Sequence, residues 1–226
     1  MAATTSKKSK QTTVDQAAKL KEAYIDYLLE HGQAPPSVYQ FMKMQKMKEV
    51  TFYDHFNSFT ALEKEIWKGF FDETRTRIQS DPVYMEYSVR EKLLAFYYTF
   101  IEILKNHRSF VMTRMEGAMA SPARRLPNNS VFSRLKEGFL DFANELISEG
   151  KEIGEIVDRP LIGNRYDDGL WRQLQFVIYF WVKDESPSFE KTDAAIEKAV
   201  NLSFDLMGRG PIDAAVDFAK FLYQQR

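Results

Sequence analysis

The chain has 226 residues, a formal net charge of −1 and no cysteine. Near-neutral charge removes any global pull toward nucleic acid or anionic membrane, so a polyanion site has to be a local patch. Lack of cysteine excludes disulfides, thiol nucleophiles and thiolate metal sites and fits a reducing cytoplasm, while 44% hydrophobic and 14% aromatic residues suffice for a sizeable core.

The opening MAATTSKKSKQTT is polar, without the apolar stretch of a signal peptide, and residues 1–12 are expected to be a disordered basic tail. From Val14, apolar residues recur at spacings of three and four through Leu20, Tyr24 and Leu28, and Gly32 follows as a helix stop. Pro35-Pro36 is a rigid connector. Ser37 is placed to cap a short helix to about Met44, and a third short helix is predicted from about Lys48 to His55. Ser58 begins a fourth with Leu62, Ile66 and Phe70 on one stripe, and Asp81-Pro82 breaks the chain.

Residues 88–106 are apolar on most of their circumference, which predicts a buried helix. Met112, Met115 and Met119 recur at helical spacing, and 121–129 read as a loop. A helix from about Ser130 to Ser148 is expected to end at Gly150. Asp167 or Asp168 is placed to cap the next one, which ends at Ser186-Pro187. Helices over 189–207 and 212–225 close the chain, the last with Ala215, Phe218, Ala219 and Leu222 inward. The longest apolar run, Phe176 to Val182, is far short of the ~20 residues that span a bilayer. No strand pattern or internal repeat is evident. The predicted fold is all-α, about nine to ten helices: a helix-turn-helix module over 13–57, then a larger bundle over 58–226.

Thr51, Tyr53, His55 and Phe56 form a Thr-x-Tyr-x-His-Phe pattern, at an ungapped spacing from Gly32, with Ser58 and Leu62 following. On these residues, 14–67 resembles the amino-terminal domain of TetR-type transcriptional regulators. The resemblance implies that Thr51, Tyr53 and His55 contact the DNA backbone. With Ser37, Lys46 and Lys48 they make up the expected DNA-binding set.

Where that family has Gly-Val-Ser at the turn, this chain has Lys46-Met47-Lys48. A lysine in the left-handed conformation costs roughly 1 kcal/mol relative to glycine. Lys48 cannot cap a helix as serine does, and its charge sits badly at the positive helix end unless a phosphate binds there. Residues 1–70 hold ten lysines against eight acidic residues, with Lys43, Lys46 and Lys48 clustered at the turn. Lys7, Lys8 and Lys10 fit a DNA-touching arm or a solvated tail equally.

Residues 166–206, through Trp181 to Ser186, Phe189 and Asp193, resemble the carboxy-terminal region of a subset of TetR-like proteins. They also resemble ubiquinone-biosynthesis accessory proteins, which share that fold and bind lipid. Aromatic stripes at helical spacing mostly form core. The resemblance implies a second role for some of them, lining an apolar ligand cavity, with Phe100, Met112, Met115, Phe139, Phe176 and Tyr179 as candidates. It also implies a homodimer packed through 189–207 and 212–225, matching a palindromic operator.

His31, His55 and His107 have no metal-ligand spacing, no glycine-rich phosphate loop is present, and no catalytic set can be named. The resemblance implies a cytoplasmic, dimeric, ligand-responsive regulator of double-stranded operator DNA, and neither metal nor cofactor is expected. The alternative is a lipid- or isoprenoid-binding accessory protein on the same scaffold.

Overall fold

The computed structural model describes residues 2–119, 131–159, 163–208, 210, 213, 218 and 221–223. Among them are nine α-helices and no strand: α1 Ala2–His31, α2 Val38–Met44, α3 Glu49–Tyr53, α4 Phe59–Gln79, α5 Val89–Lys105, α6 Arg108–Met119, α7 Ser133–Glu152, α8 Tyr166–Lys183 and α9 Glu190–Met207. Residues 213, 218 and 221–223 are helical as well. The chain forms two compact units, one of residues 1–69 and 107–135, the other of 70–106 and 136–226. The unit carrying the helix-turn-helix is thus larger than the expected 13–57. α4 belongs to it as far as Gly69, and α6 lies wholly within it.

The tail expected to be disordered is helical from Ala2. Ala, Lys, Ser, Thr and Gln precede Val14 without a glycine or proline, so nothing stops α1 from extending backward. Gly32 ends it as expected, at φ +68°, its amide donating to the Leu28 carbonyl at 2.8 Å.

In the first unit, Leu20, Tyr24 and Leu28 of α1 pack with Phe41, Met42, Phe52 and Leu62, all fully enclosed. Trp67 stands 5.8 Å from the Phe110 ring and 4.6 Å from Phe132. Among these apolar groups lies an ion pair. Glu63 of α4, 2% exposed, accepts from the Tyr24 hydroxyl of α1 at 2.5 Å and from Arg114 of α6 through Nε at 2.9 Å and through Nη2. Burial first, then the carboxylate beside it, pushes the Tyr24 hydroxyl far above the ordinary tyrosine value. The buried charge ties three helices together at one register.

In the second unit, Phe96 of α5 meets Phe71, Phe100, Phe139 and Phe142 at ring separations of 5.7, 5.6, 5.4 and 4.8 Å. A buried polar thread crosses this core: the Tyr97 hydroxyl donates to Gln173 Oε1 at 2.9 Å. The Gln173 amide donates to the Ala199 carbonyl at 2.5 Å and to Ser203 Oγ at 2.8 Å, linking α5, α8 and α9. Ser88 and Glu91 form a reciprocal capping box that starts α5.

Three local expectations are corrected. Gly150 does not end α7, which runs on to Glu152. A Cβ there would fall 2.7 Å from the Ile156 side chain, so the glycine permits close approach, and the chain reverses at Gly154 with φ +81°. Neither Asp167 nor Asp168 caps α8. The cap position is Arg165, and both aspartates sit in the first turn, where the helix dipole favours them. Phe218 and Leu222, expected inward, are exposed; Ala215 and Ala219 lie outside the described residues.

Arg159, nearly enclosed, serves the end of α9. Its Nη1 donates to the Leu206 carbonyl at 2.7 Å and to the Tyr166 hydroxyl at 2.8 Å. Nη2 donates to the Gly208 carbonyl and to Asp213 Oδ2, both at 2.7 Å. One guanidinium thereby satisfies unpaired carbonyls at the helix end and holds Asp213 of the following segment.

Asp184, buried between α8 and α9, accepts from the amide and hydroxyl of both Ser186 and Thr192, at 2.6–2.9 Å. Burial opposes its charge, but the four donors prevail and hold the carboxyl well below the ordinary range. A depressed folded-state value means that the contribution is complete above the unfolded-state value of ~3.9 and is lost as pH falls toward the folded value. Thermal melts from pH 7 to pH 3 should show wild type losing stability more steeply below pH ~4 than Asp184→Asn. Parallel acid limbs would contradict this.

Candidate nucleic-acid interface

α2 and α3 are short and held from below. Phe41 lies edge-on to Phe52 at 6.4 Å and to Phe59 at 5.5 Å, and Phe59 stacks on Tyr24 at 5.3 Å. This aromatic cluster fixes α2 and α3 on α1 and the start of α4. Ser37 caps α2, its Oγ accepting from the Gln40 amide at 3.2 Å, and Ser58 Oγ accepts from the Ala61 amide at 3.1 Å at the head of α4.

The turn between the two short helices resolves the lysine problem. Lys46 adopts φ +55°, the left-handed conformation. Its amide donates to the Lys43 carbonyl at 3.1 Å, and the Met47 amide to the Met42 carbonyl at 2.9 Å. That pair of bonds is the Schellman closure, with Lys46 at the position usually held by glycine. The turn therefore keeps its geometry without glycine, at a backbone cost of roughly 1 kcal/mol. Lys48 occupies the cap position of α3 with no side-chain cap bond.

Lys43, Lys46 and Lys48 are all exposed, and none of their ammonium groups has a carboxylate partner among the described residues. Tyr53 is 53% exposed, its hydroxyl 3.4 Å from Glu49 Oε1, a weak contact that leaves the phenol available. Thr51 and His55 are half-buried, the imidazole 6.2 Å from the Phe56 ring. Ser37 is exposed although its hydroxyl oxygen is engaged in the cap. Thr51 and Tyr53 of the predicted set lie on α3, Lys46 and Lys48 in the turn before it, Ser37 at the cap of α2 and His55 just after α3. Val50, on α3, is 59% exposed, and Tyr39, on α2, is 58% exposed. Val50 stands three residues before Tyr53 and two before the enclosed Phe52, and Tyr39 two before the enclosed Phe41, so each turns outward.

The predicted ligand set is divided between the two units. Met112 and Met115 belong to the first unit, whereas Phe100, Phe139, Phe176 and Tyr179 belong to the second. Phe100 and Phe139 are fully enclosed core. Phe176 and Tyr179 are corrected to surface residues of α8, Phe176 at 45% exposure, because they lie on the face opposite Val177, Ile178 and Trp181. A cleft of about 360 Å³ in the second unit is lined instead by Ser88, Arg90, Glu155, Phe204, Asp205 and Gly208. No group of three or more potential metal-ligating side chains occurs among the described residues, and no described helix is long and apolar enough to cross a membrane.

Residues 92–222 match the family model described as the tetracyclin repressor-like, C-terminal domain. The chain belongs to the TetR family of transcriptional regulators. Solved structures agree on the fold. One, assigned as a TetR-family transcriptional regulator of Syntrophomonas wolfei, is 17% identical, with a TM-score of 0.63 over 85% of this chain and 94% of that one. A protein of Shewanella sp. PV-4, also assigned to the TetR family, is 16% identical, with a TM-score of 0.58 over 86% of this chain and 99% of that one. A Rhodococcus sp. RHA1 protein of unknown function is 15% identical, with a TM-score of 0.56 over 86% and 96%. No curated protein matches this TetR-family chain in sequence.

Proposed function

We propose that this TetR-family regulator binds operator DNA as a homodimer through α2 and α3, and that a small apolar ligand held in the second unit modulates the binding. The observation that carries the reading is the Lys46 turn: it holds the helix-turn-helix geometry while three exposed lysines, without a carboxylate partner among the described residues, surround it. Thr51, Tyr53 and His55 grip phosphate beside them. Free cationic side chains at this turn favour DNA over the accessory lipid-binding alternative. The protein acts in the cytoplasm, where its DNA is, and the reading assigns it no catalytic step.

The ligand is the less defined half. Phe100 and Phe139 are fully enclosed, so an apolar ligand reaches them only by displacing neighbouring side chains of the second unit. A differential affinity of about 1–3 kcal/mol between two conformations suffices for regulation.

The test is a titration of the full-length protein against a duplex selected from a random pool, repeated between 50 and 200 mM salt. Lys46→Gly and Lys48→Ala should each weaken binding and reduce the slope of log affinity on log salt by about 1. Lys46→Gly should also raise thermal stability, because glycine relieves the left-handed backbone. Wild-type slopes retained in both variants would remove the lysines from the interface, and a pool that yields no bound duplex would remove DNA binding itself.

A further inference from the structure

The chemistry on the outer face of α3 is unusual for a surface that reads bases. Its five residues are Glu49, Val50, Thr51, Phe52 and Tyr53. Phe52 points into the core, and Val50 and Tyr53, three apart, share the outward face. The helix carries no arginine, lysine, asparagine or glutamine. The side chains that pair bidentately with guanine or adenine are therefore missing from it. Its most exposed apolar side chain is instead a branched aliphatic one, Val50, and the exposed Met44 at the end of α2 adds a second apolar group close by in sequence.

An exposed valine gains stability when an apolar group covers it. In the major groove one base edge offers such a group, the C5-methyl of thymine. The exposed Lys46 and Lys48 immediately before α3 supply the complementary charge for the phosphates on either side. We infer that Val50 is a specificity-determining residue that packs on a thymine methyl in each operator half-site, so that recognition depends on shape and methyl contact more than on bidentate hydrogen bonding. This rests on the DNA-binding reading above and adds to it which base the helix selects.

The experiment keeps the two apart. Full-length protein is used to select a duplex from a random pool, and deoxyuridine then replaces thymidine at each half-site position in turn. That exchange removes one methyl and leaves base pairing intact. At one symmetric pair of positions, wild type should bind the uridine duplex about fifteenfold more weakly, about fourfold per methyl lost. Val50→Ala should bind the thymidine duplex more weakly than wild type does and show little further loss on uridine replacement. Val50 is at the surface, so the variant folds. Wild-type affinity unchanged by uridine at every position, or an equal uridine penalty in wild type and Val50→Ala, would overturn the inference while DNA binding stands. A pool that yields no bound duplex would overturn the regulator reading and this inference with it.

Discussion

Arg114→Met is expected to lower the midpoint of thermal unfolding by about 10 °C. Removing the guanidinium leaves the Glu63 carboxylate enclosed, with the Tyr24 hydroxyl as its one remaining partner among the described residues. Losing one member of a buried pair costs roughly 3–5 kcal/mol, and in a domain of this size each kcal/mol moves the midpoint by roughly 2–4 °C. The two partners are unequal: the Arg114 side chain is partly exposed, whereas Glu63 is sealed. Water can rescue a lone arginine here far better than a lone glutamate. Glu63→Met should therefore destabilise less than Arg114→Met, and the double variant should recover much of the loss seen in Arg114→Met alone. Calorimetry on the four proteins decides it; additive losses would mean that the pair is not coupled. Because the carboxylate binds α1, α4 and α6 together, Arg114→Met should also weaken DNA binding more than its loss of charge explains.

Leu206→Arg is expected to convert the protein to a monomer and to lower its affinity for a two-half-site duplex by about 10²–10⁴-fold. Leu206 and Leu202 stand on the outer face of α9, 48% and 59% exposed, and Phe218, Phe221 and Leu222 follow on the last segment, all exposed. Apolar groups concentrated on one end of the chain mark a surface that another protein covers. In the dimer reading that protein is a second copy. Two linked reading heads bind one duplex with an effective concentration that a single head lacks, and this sets the size of the loss. Since Leu206 is half-exposed, the monomer should keep its helicity and fold. Sedimentation at micromolar concentration and DNA titration are the two readouts. A variant that still sediments as a dimer would move the interface off α9.

The helix-turn-helix was legible because it is local. Ser37 and Ser58 each act through neighbours a few residues away, so local pattern placed them. The left-handed backbone of Lys46 was legible through the resemblance, which has glycine at that position. The Glu63–Arg114 pair was not legible. Glu63 sits beside Leu62 on α4, where periodicity reads it as a surface residue at the edge of an apolar stripe, and its partner lies 51 positions away. Phe176 and Tyr179 failed for a related reason. An unbroken apolar run looks buried on every side, yet α8 turns one face outward. Gly150 shows that a glycine near a helix end has two meanings, a stop or a close contact, and only the position of Ile156 separates them.

The Arg159 clamp bears on how this protein tolerates editing of its carboxyl end. Shortening the chain before Asp213 would strip the guanidinium of its counter-ion while leaving it wedged among the carbonyls of α9. A deletion that looks like trimming a peripheral appendage would then be felt inside the bundle. Reporter fusions and affinity handles should be placed so that Asp213 and its anchor stay whole.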